Sequence, residues 1–442
     1  MQAGTIAAPK RLEDLNLRRD LVASLVLRTL AFADQLSGAA LEARLGLPFE
    51  TIEPIIQEFQ KAQLMDTMGF ASEPGLDGRP IPVRMAYTVS SAGRQRAAEM
   101  SAVQTRYFGP CPVRFEDYVD LVKSQVSSRA SITDAALKQA LGNLQLEQHV
   151  IDQIGGAMVS RASLFIFGAP GNGKSTITER MALLMGSPIE LPYSVAVGDE
   201  IIRVYDPVYH KVAEGEQPSD RRLVKVERPV VMAGGELKTE QLELTYDPQN
   251  RYYEASLQWK ANTGVLVIDD FGRQEAPANR ILNRFIVPME KKVDYLDLSA
   301  SGRKIELPFL CQVVFSTNIS PASLVDEAFL RRMAYKIGVG NPTPEAYTKI
   351  LKYECEKNGV PWVPQAVPYL LGIYEKTKRP LRGAHPRQII ARLVDFAAYR
   401  QQQAQLNPQT LQEAFDACFN PALGGMTEED WASPAAAGNG KA

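Results

Sequence analysis

Lys174 and Ser175 end the octet Gly168-Ala169-Pro170-Gly171-Asn172-Gly173-Lys174-Ser175, which fits G-x-x-x-x-G-K-[ST] at every fixed position. The chemistry of that spacing is phosphate holding. Glycines allow backbone angles that turn several N–H groups onto one phosphate. A lysine four carbons long reaches the β- and γ-phosphates, and a hydroxyl next to it can bind Mg²⁺. A Gly-rich turn arising by chance is the bland alternative, so the flanks decide. Residues 162–167 (Ala-Ser-Leu-Phe-Ile-Phe) are mostly apolar and predict a buried strand, and residues 176–184 predict a helix. Strand, glycine loop and helix together make a P-loop. The helix N-terminus adds partial positive charge. Residues 168–176, with Thr176 in the first turn, are the expected nucleotide-binding set.

Two more apolar runs end in polar groups. Residues 264–270 (Gly-Val-Leu-Val-Ile-Asp-Asp) predict a central parallel strand. Ligands bind at the carboxyl ends of such strands. Asp269 is placed to hold the Mg²⁺ shell. Asp270 is placed to polarise an attacking water as general base. Residues 311–318 predict a second such strand, with Asn318 at its tip to orient water or touch the γ-phosphate. Downstream, Arg331 and Arg332 follow an apolar helical stretch. Paired arginines are usually a solvated face; the alternative is an arginine finger that meets transition-state charge on a neighbouring subunit.

These groups need elements to position them. The chain has 442 residues, enough for about three domains. With Lys+Arg 49 against Asp+Glu 51, the net charge of −2 gives no nucleic-acid signature for the whole chain. Cys111, Cys311, Cys355 and Cys418 lie far apart with no metal-ligand spacing, as expected of inert thiols in a reducing compartment. Only three histidines, His149, His210 and His385, argue against a histidine metal site. No apolar run is long enough to span a bilayer, and no signal pattern opens the chain. A soluble, cytoplasmic protein without membrane insertion is expected.

Residues 1–13 are expected to be loose. Helical patterns over 15–33, 37–46 and 48–64, short strands over 65–68 and 84–89, and a helix from residue 92 describe a winged-helix-like unit over 14–105. Ser37 is placed to cap the second helix. The Gly- and Pro-rich stretch 69–82 is expected as a loop, and 106–124 as a linker. A nucleotide-binding core is expected over 125–340, a helical unit over 341–425 and a disordered Ala/Gly/Ser-rich tail over 426–442.

Residues 125–425 resemble AAA+ ATPases in the order of their motifs. The resemblance implies Walker A at 168–175, Walker B at 265–270, sensor 1 at Asn318 and a finger at Arg331 or Arg332. Gly383-Ala384-His385-Pro386-Arg387 looks like a sensor-2 motif, with Arg387 touching nucleotide. It implies an α/β P-loop NTPase (AAA+) with a parallel-sheet core and a C-terminal helical lid, to which the residue patterns above add an N-terminal winged helix. One departure is Asp270, where most members carry Glu; the shorter side chain puts the turnover rate in doubt. Residues 293–298 and 303–308 flank Ser-Ala-Ser-Gly and predict a hairpin. It is similar to the pre-sensor-1 hairpin of the MoxR, magnesium-chelatase and ClpX-like superclade. Residues 186–263 are longer than a minimal core needs. They fit either a β-insert or core strand two with a decorated loop. Tyr252-Tyr253 within them fit either a ring pore or simple packing.

The resemblance also implies ATP and Mg²⁺ as ligands and a homo-oligomeric ring, usually a hexamer, with sites between subunits. Remodelling of an unknown protein partner is the expected output. DNA is disfavoured: residues 11–102 carry ten Lys/Arg against twelve Asp/Glu, and the candidate recognition helix has Glu50, Glu53 and Glu58 against Lys61. Arg79, Arg84, Arg94 and Arg96 keep a basic wing, and with it DNA, as the minority alternative. An ATP-binding switch with little turnover is a third possibility, resting on Asp270.

Overall fold

A computed structural model describes residues 6–419 apart from residues 34, 69–70, 75–79, 84, 127–131 and 320–326. The expected tail 426–442, Arg79 and Arg84 lie outside the described residues. Five strands form the central sheet: β1 Leu164–Gly168, β2 Val230–Ala233, β3 Val265–Ile268, β4 Gln312–Thr317 and β5 Tyr335–Val339. Their order is β2-β3-β4-β1-β5, and every neighbouring pair is parallel.

The near-continuous apolar sequence of these strands follows from burial on both faces. Successive side chains alternate between two layers. Leu164, Ile166, Val265 and Val267 pack with Ile154, Ile177 and Met181 from the helices Gln148–Ser160 and Lys174–Ala182. Phe165, Leu266, Ile268 and Phe315 face the other way, onto Ile281, Leu282 and Phe285 of the helix Ala278–Lys291. The parallel order forces each strand's carboxyl end to one edge, where the P-loop, Asp269 and Asn318 gather.

Four lid helices follow β5: Pro344–Lys357, Ala366–Thr377, His385–Tyr399 and Pro408–Phe419. Thr343 caps the first, accepting from Ala346 N at 3.2 Å. The lid has its own core around Tyr347, Leu370, Ile389 and Phe415.

The segment 186–263 resolves the two alternatives by containing both. Val230–Ala233 is β2 of the core sheet, a strand separate from Leu223–Val226. The remainder builds a separate β layer. Leu223–Val226 pairs antiparallel with Ile189–Pro192. A second sheet runs in the order Thr245–Asp247, Tyr252–Glu254, Glu200–Arg203, Ser194–Val197, Val113–Arg114. Tyr253 is buried and Tyr252 stands edge-on to Tyr107, so this aromatic pair packs. The hairpin Val293–Leu298 with Arg303–Pro308 is antiparallel throughout. Its tip is fastened to the β layer: Ser301 Oγ donates to Glu200 Oε2 at 2.7 Å, and Ala300 N donates to the Tyr253 hydroxyl at 2.6 Å.

In the N-terminal part, helices Arg19–Phe32, Gly38–Leu45, Phe49–Lys61 and Ser91–Val103 surround a three-stranded sheet. Strand Ala86–Val89 lies between Gln35–Ser37 and Met65–Met68. Ser37 caps its helix through Ala40 N at 3.1 Å. Pro48 is the N-cap of Phe49–Lys61. The stretch expected as a loop carries an antiparallel ladder, Ala71–Pro74 with Pro80–Val83. Residues 9–13, expected to be loose, are tied down: Leu12 is buried and Pro9 O accepts from Thr51 Oγ1 at 2.9 Å.

The expected linker 106–124 is likewise packed. Tyr107 and Cys111 are buried, and Cys111 N donates to Leu45 O at 2.7 Å. Val113–Arg114 is an edge strand of the β layer and Phe115–Ser124 is a helix. A Gly-Pro-Cys-Pro composition marks irregular backbone, but the alternate residues Tyr107, Cys111 and Val113 are apolar enough to bury. The N-terminal core therefore runs without a break into Ala196 and Ile201 of the β layer. No helix among the described residues is long and apolar enough to cross a membrane.

Candidate functional site

The P-loop owes its path to two crowded glycines. Gly168 has φ +148°, and a Cβ there would lie 2.2 Å from Val339 O of the neighbouring strand. Gly173 has φ +85° and is the N-cap of Lys174–Ala182, so the turn needs a residue free to adopt left-handed angles. The loop then delivers Lys174 and Ser175 to the first turn of a helix, where backbone N–H groups have no intrahelical partner.

Lys174 is buried. Its Nζ donates to Gly168 O at 3.0 Å, to Ala169 O at 3.1 Å and to Asn318 Oδ1. Burial pushes its pKa down, and the carboxylates of Asp269 and Asp270 oppose that shift. Ser175 Oγ donates to Asp269 Oδ2 at 2.7 Å. Asp269 Oδ1 accepts from Asp270 N at 3.0 Å. Asn318 Nδ2 donates to Asp270 Oδ1 at 3.1 Å. Lys174, Asn318 and Asp270 thus form one polar chain across the tips of β1, β4 and β3. Asp270 is exposed and has φ +49°, an uncommon angle for a residue with a side chain.

Three residues outside the fixed motif positions hold this arrangement. Phe271 is fully buried against Phe165 and Phe315, its N donates to Ser316 O at 2.7 Å, and its carbonyl accepts from Thr317 Oγ1 at 2.7 Å. These contacts clamp the end of β3 onto the end of β4. Gln274 Nε2 donates to Asp269 O at 2.8 Å. Asn172, inside the P-loop, donates to Gly340 O at 3.0 Å and to Asn341 Oδ1 at 2.9 Å. The only sequence signal for Phe271 is an aromatic directly after two carboxylates.

A cavity of about 870 Å³ joins these groups. The P-loop residues Pro170 to Thr176, Asp269, Asp270 and Asn318 form one wall. Leu144, Leu146 and Val150 supply an apolar side, and Ile350, Tyr353 and exposed Arg387 come from the lid. A slot with phosphate-type donors at one end and apolar walls at the other can take a nucleotide. For Mg²⁺, the donor set fits: a hydroxyl and a carboxylate already meet at 2.7 Å, both hard oxygen ligands. Among the described residues no cluster of three or more His, Cys, Asp or Glu offers another metal site.

Arg331 and Arg332 end the helix Glu327–Arg332 and are exposed. Arg332 Nε donates to Glu290 Oε1 at 2.6 Å. Neither lines the cavity, so the structure does not bring them to the site of their own chain.

A parallel sheet in the order β2-β3-β4-β1-β5, a P-loop after β1, paired carboxylates after β3, a polar tip on β4 and a helical lid after β5 are now all in place. The fold is an α/β P-loop fold, with these parts in the order that the resemblance to AAA+ ATPases implies. Comparisons with known proteins add the following. A family model described as a domain of unknown function (DUF8689) matches residues 343–417, the helical unit after β5. No curated protein matches the sequence. Among solved structures, NtrX from Brucella abortus in complex with ADP is similar at 11% identity and TM-score 0.39, over 62% of this chain and 56% of that one. NtrX in complex with ATP gives 12% identity and TM-score 0.39, over 64% and 63%. A single-residue variant of Thermotoga maritima RuvB gives 12% identity and TM-score 0.37, over 72% and 76%. The chain thus spans less than two thirds of the NtrX chains. The P-loop fold follows from strand order and site geometry, not from these overlaps.

Proposed function

We propose that this chain binds ATP with Mg²⁺, hydrolyses it between subunits of a ring, and uses the resulting lid movement to remodel a protein partner. The observation that carries the proposal is the convergence of Lys174, Ser175, Asp269, Asp270 and Asn318 on one cavity wall. Lys174 sits on two P-loop carbonyls and Asn318, a position from which it can turn to a triphosphate. Ser175 and Asp269 are the residues that would hold Mg²⁺, which neutralises charge on the β- and γ-phosphate oxygens when bound. Asp270 is the base that accepts the proton of the attacking water, and Asn318 orients both. Arg387 reaches the cavity from the lid and serves as the sensor-2 arginine.

Ring assembly is supported by the placement of Arg331 and Arg332, outside the cavity of their own chain on an exposed helix end. From a neighbour they would reach the γ-phosphate of this site. A hexamer is the expected ring. The hairpin at residues 293–308 supports placement in the pre-sensor-1 superclade. The four-helix, three-strand arrangement of the N-terminal part supports a winged helix that docks protein. Several of its arginines are already engaged: Arg18 pairs with Asp199 at 2.6 Å, Arg19 with Glu58 at 2.5 Å and Arg96 with Glu99 at 3.3 Å, while Arg28 is buried against Thr105 O. Among the described residues, that leaves few to meet a phosphate backbone.

Steady release of phosphate from MgATP by the full chain tests the proposal. Lys174→Ala should abolish release. Absence of both nucleotide uptake and phosphate release by the wild type would overturn it.

A further inference from the structure

Asn172 has no catalytic chemistry of its own, yet every polar atom of its buried side chain is committed. Nδ2 donates both hydrogens, to Gly340 O at 3.0 Å and to Asn341 Oδ1 at 2.9 Å. Oδ1 accepts from Gly383 N at 3.1 Å. Gly340 and Asn341 are the joint between β5 and the first lid helix. Gly383 belongs to the turn that opens the lid helix His385–Tyr399. One side chain therefore ties the P-loop to both places where the lid approaches the core.

The loop backbone repeats the connection. Gly171 O accepts from Ala384 N at 2.7 Å, and Pro170 O accepts from Arg382 at 2.8 Å. The approach is close: a Cβ on Gly383 would lie 3.3 Å from Gly171 O. Each peptide unit is planar. The carbonyl of Pro170 and the N–H of Gly171 turn together, as do the carbonyl of Gly171 and the N–H of Asn172. A lid shift that pulls on these carbonyls must re-aim the N–H groups that cradle a phosphate. By linkage, a phosphate that fixes those N–H groups must bias the lid by the same free energy.

We propose that Asn172 is the positioning residue that couples occupancy of the phosphate cradle to the lid. The inference rests on the ATPase reading above and adds the route by which the nucleotide state leaves the site. Asn172→Ala removes all three bonds. Asn172→Asp keeps the shape and the acceptor for Gly383 N but loses both donors to the joint.

Hydrogen exchange of the full chain, without nucleotide and at saturating ADP with Mg²⁺, tests it on lid peptides from 343–360 and 380–399. ADP titration by calorimetry, run in parallel, sets saturation for each variant. In the wild type, ADP should alter exchange in both lid regions. In Asn172→Ala the change at saturation should be at least about threefold smaller in both regions. In Asn172→Asp it should shrink at 343–360 and persist at 380–399. An undiminished lid response in saturated Asn172→Ala would overturn the coupling while leaving the ATPase reading intact. Failure of the wild type to take up ADP would instead remove the ATPase reading, and the coupling with it.

Discussion

Ser175 Oγ and Asp269 Oδ2 meet at 2.7 Å, although 94 positions separate them in the chain. Both lie at the carboxyl edge of one parallel sheet, Ser175 in the first turn after β1 and Asp269 at the tip of β3. Removing either oxygen should cost turnover more than ATP binding, because the metal charge matters most where charge develops. Asp269→Asn and Ser175→Ala should each lower the rate of phosphate release by about a hundredfold or more. Malachite-green assay across a Mg²⁺ titration checks this; an unchanged rate and Mg²⁺ dependence would show the pair to be structural.

Asp270 stands next to Asn318 and away from the apolar layers. As general base it should contribute about 10²–10⁴-fold to the rate. Asp270→Asn keeps the size and should retain ATP while losing that factor. Single-turnover phosphate release alongside fluorescent-nucleotide binding separates the two. If Asp270→Asn hydrolyses like the wild type, the base is elsewhere and the switch alternative falls with it. If the wild type holds ATP without turning it over, the switch alternative is the correct one.

Arg331 and Arg332 are tested together, because they are adjacent at one helix end. The double variant Arg331→Ala, Arg332→Ala should bind ATP normally and lose at least about 10³-fold in turnover, the scale of an arginine finger. Arg332 also pairs with Glu290 at 2.6 Å, but both partners are substantially exposed, so the stability cost should be below about 1 kcal/mol. Mixing the double variant with Lys174→Ala chains should restore part of the activity if the two residues act in different subunits. No recovery in the mixture would argue for action within one chain.

His385 gives the lid a pH dependence. It is buried, with Nδ1 3.0 Å from the Tyr374 hydroxyl, which in turn lies 2.9 Å from the Tyr347 hydroxyl. Burial pulls its pKa down to about 4, and Arg382 and Arg379 push the same way. An unfolded histidine titrates near about 6.5. Below that pH the unfolded chain binds a proton that the folded lid refuses. Lid stability should therefore be full above pH about 6.5, fall as pH drops towards about 4, and change little further from this group below that. Thermal melting of the full chain from pH 7.5 to 4 checks it, with His385→Gln expected to flatten the slope in that window. An equal slope in the variant would assign the pH dependence to other groups.

The octet 168–175 and the run 264–270 were legible because their chemistry is local. A phosphate cradle needs glycines at fixed spacing, and a strand buried on both faces needs an unbroken apolar run. Residues 311–318 were legible for the same reason, and so were the lid helices, whose periodicity is internal to each. The hairpin at 293–308 announced itself by alternation around a small polar turn. Other features depend on partners far away in sequence. Whether Val230–Ala233 is a core strand depends on Val265–Ile268 lying beside it, not on its own composition. Residues 106–113 look like a linker because Gly109, Pro110 and Pro112 interrupt them; only the surfaces of Leu45 and Tyr252 make Tyr107 and Cys111 interior. Asn172 occupies a variable position of the P-loop pattern, and its role exists only because the joint at Gly340 and the turn at Gly383 converge there. Sequence determined the groups that can hold a phosphate and a metal, since covalent spacing and backbone freedom are written residue by residue. Tertiary structure decided what those groups are tied to, since long-range contacts form only where packed layers bring distant polar atoms within hydrogen-bond reach.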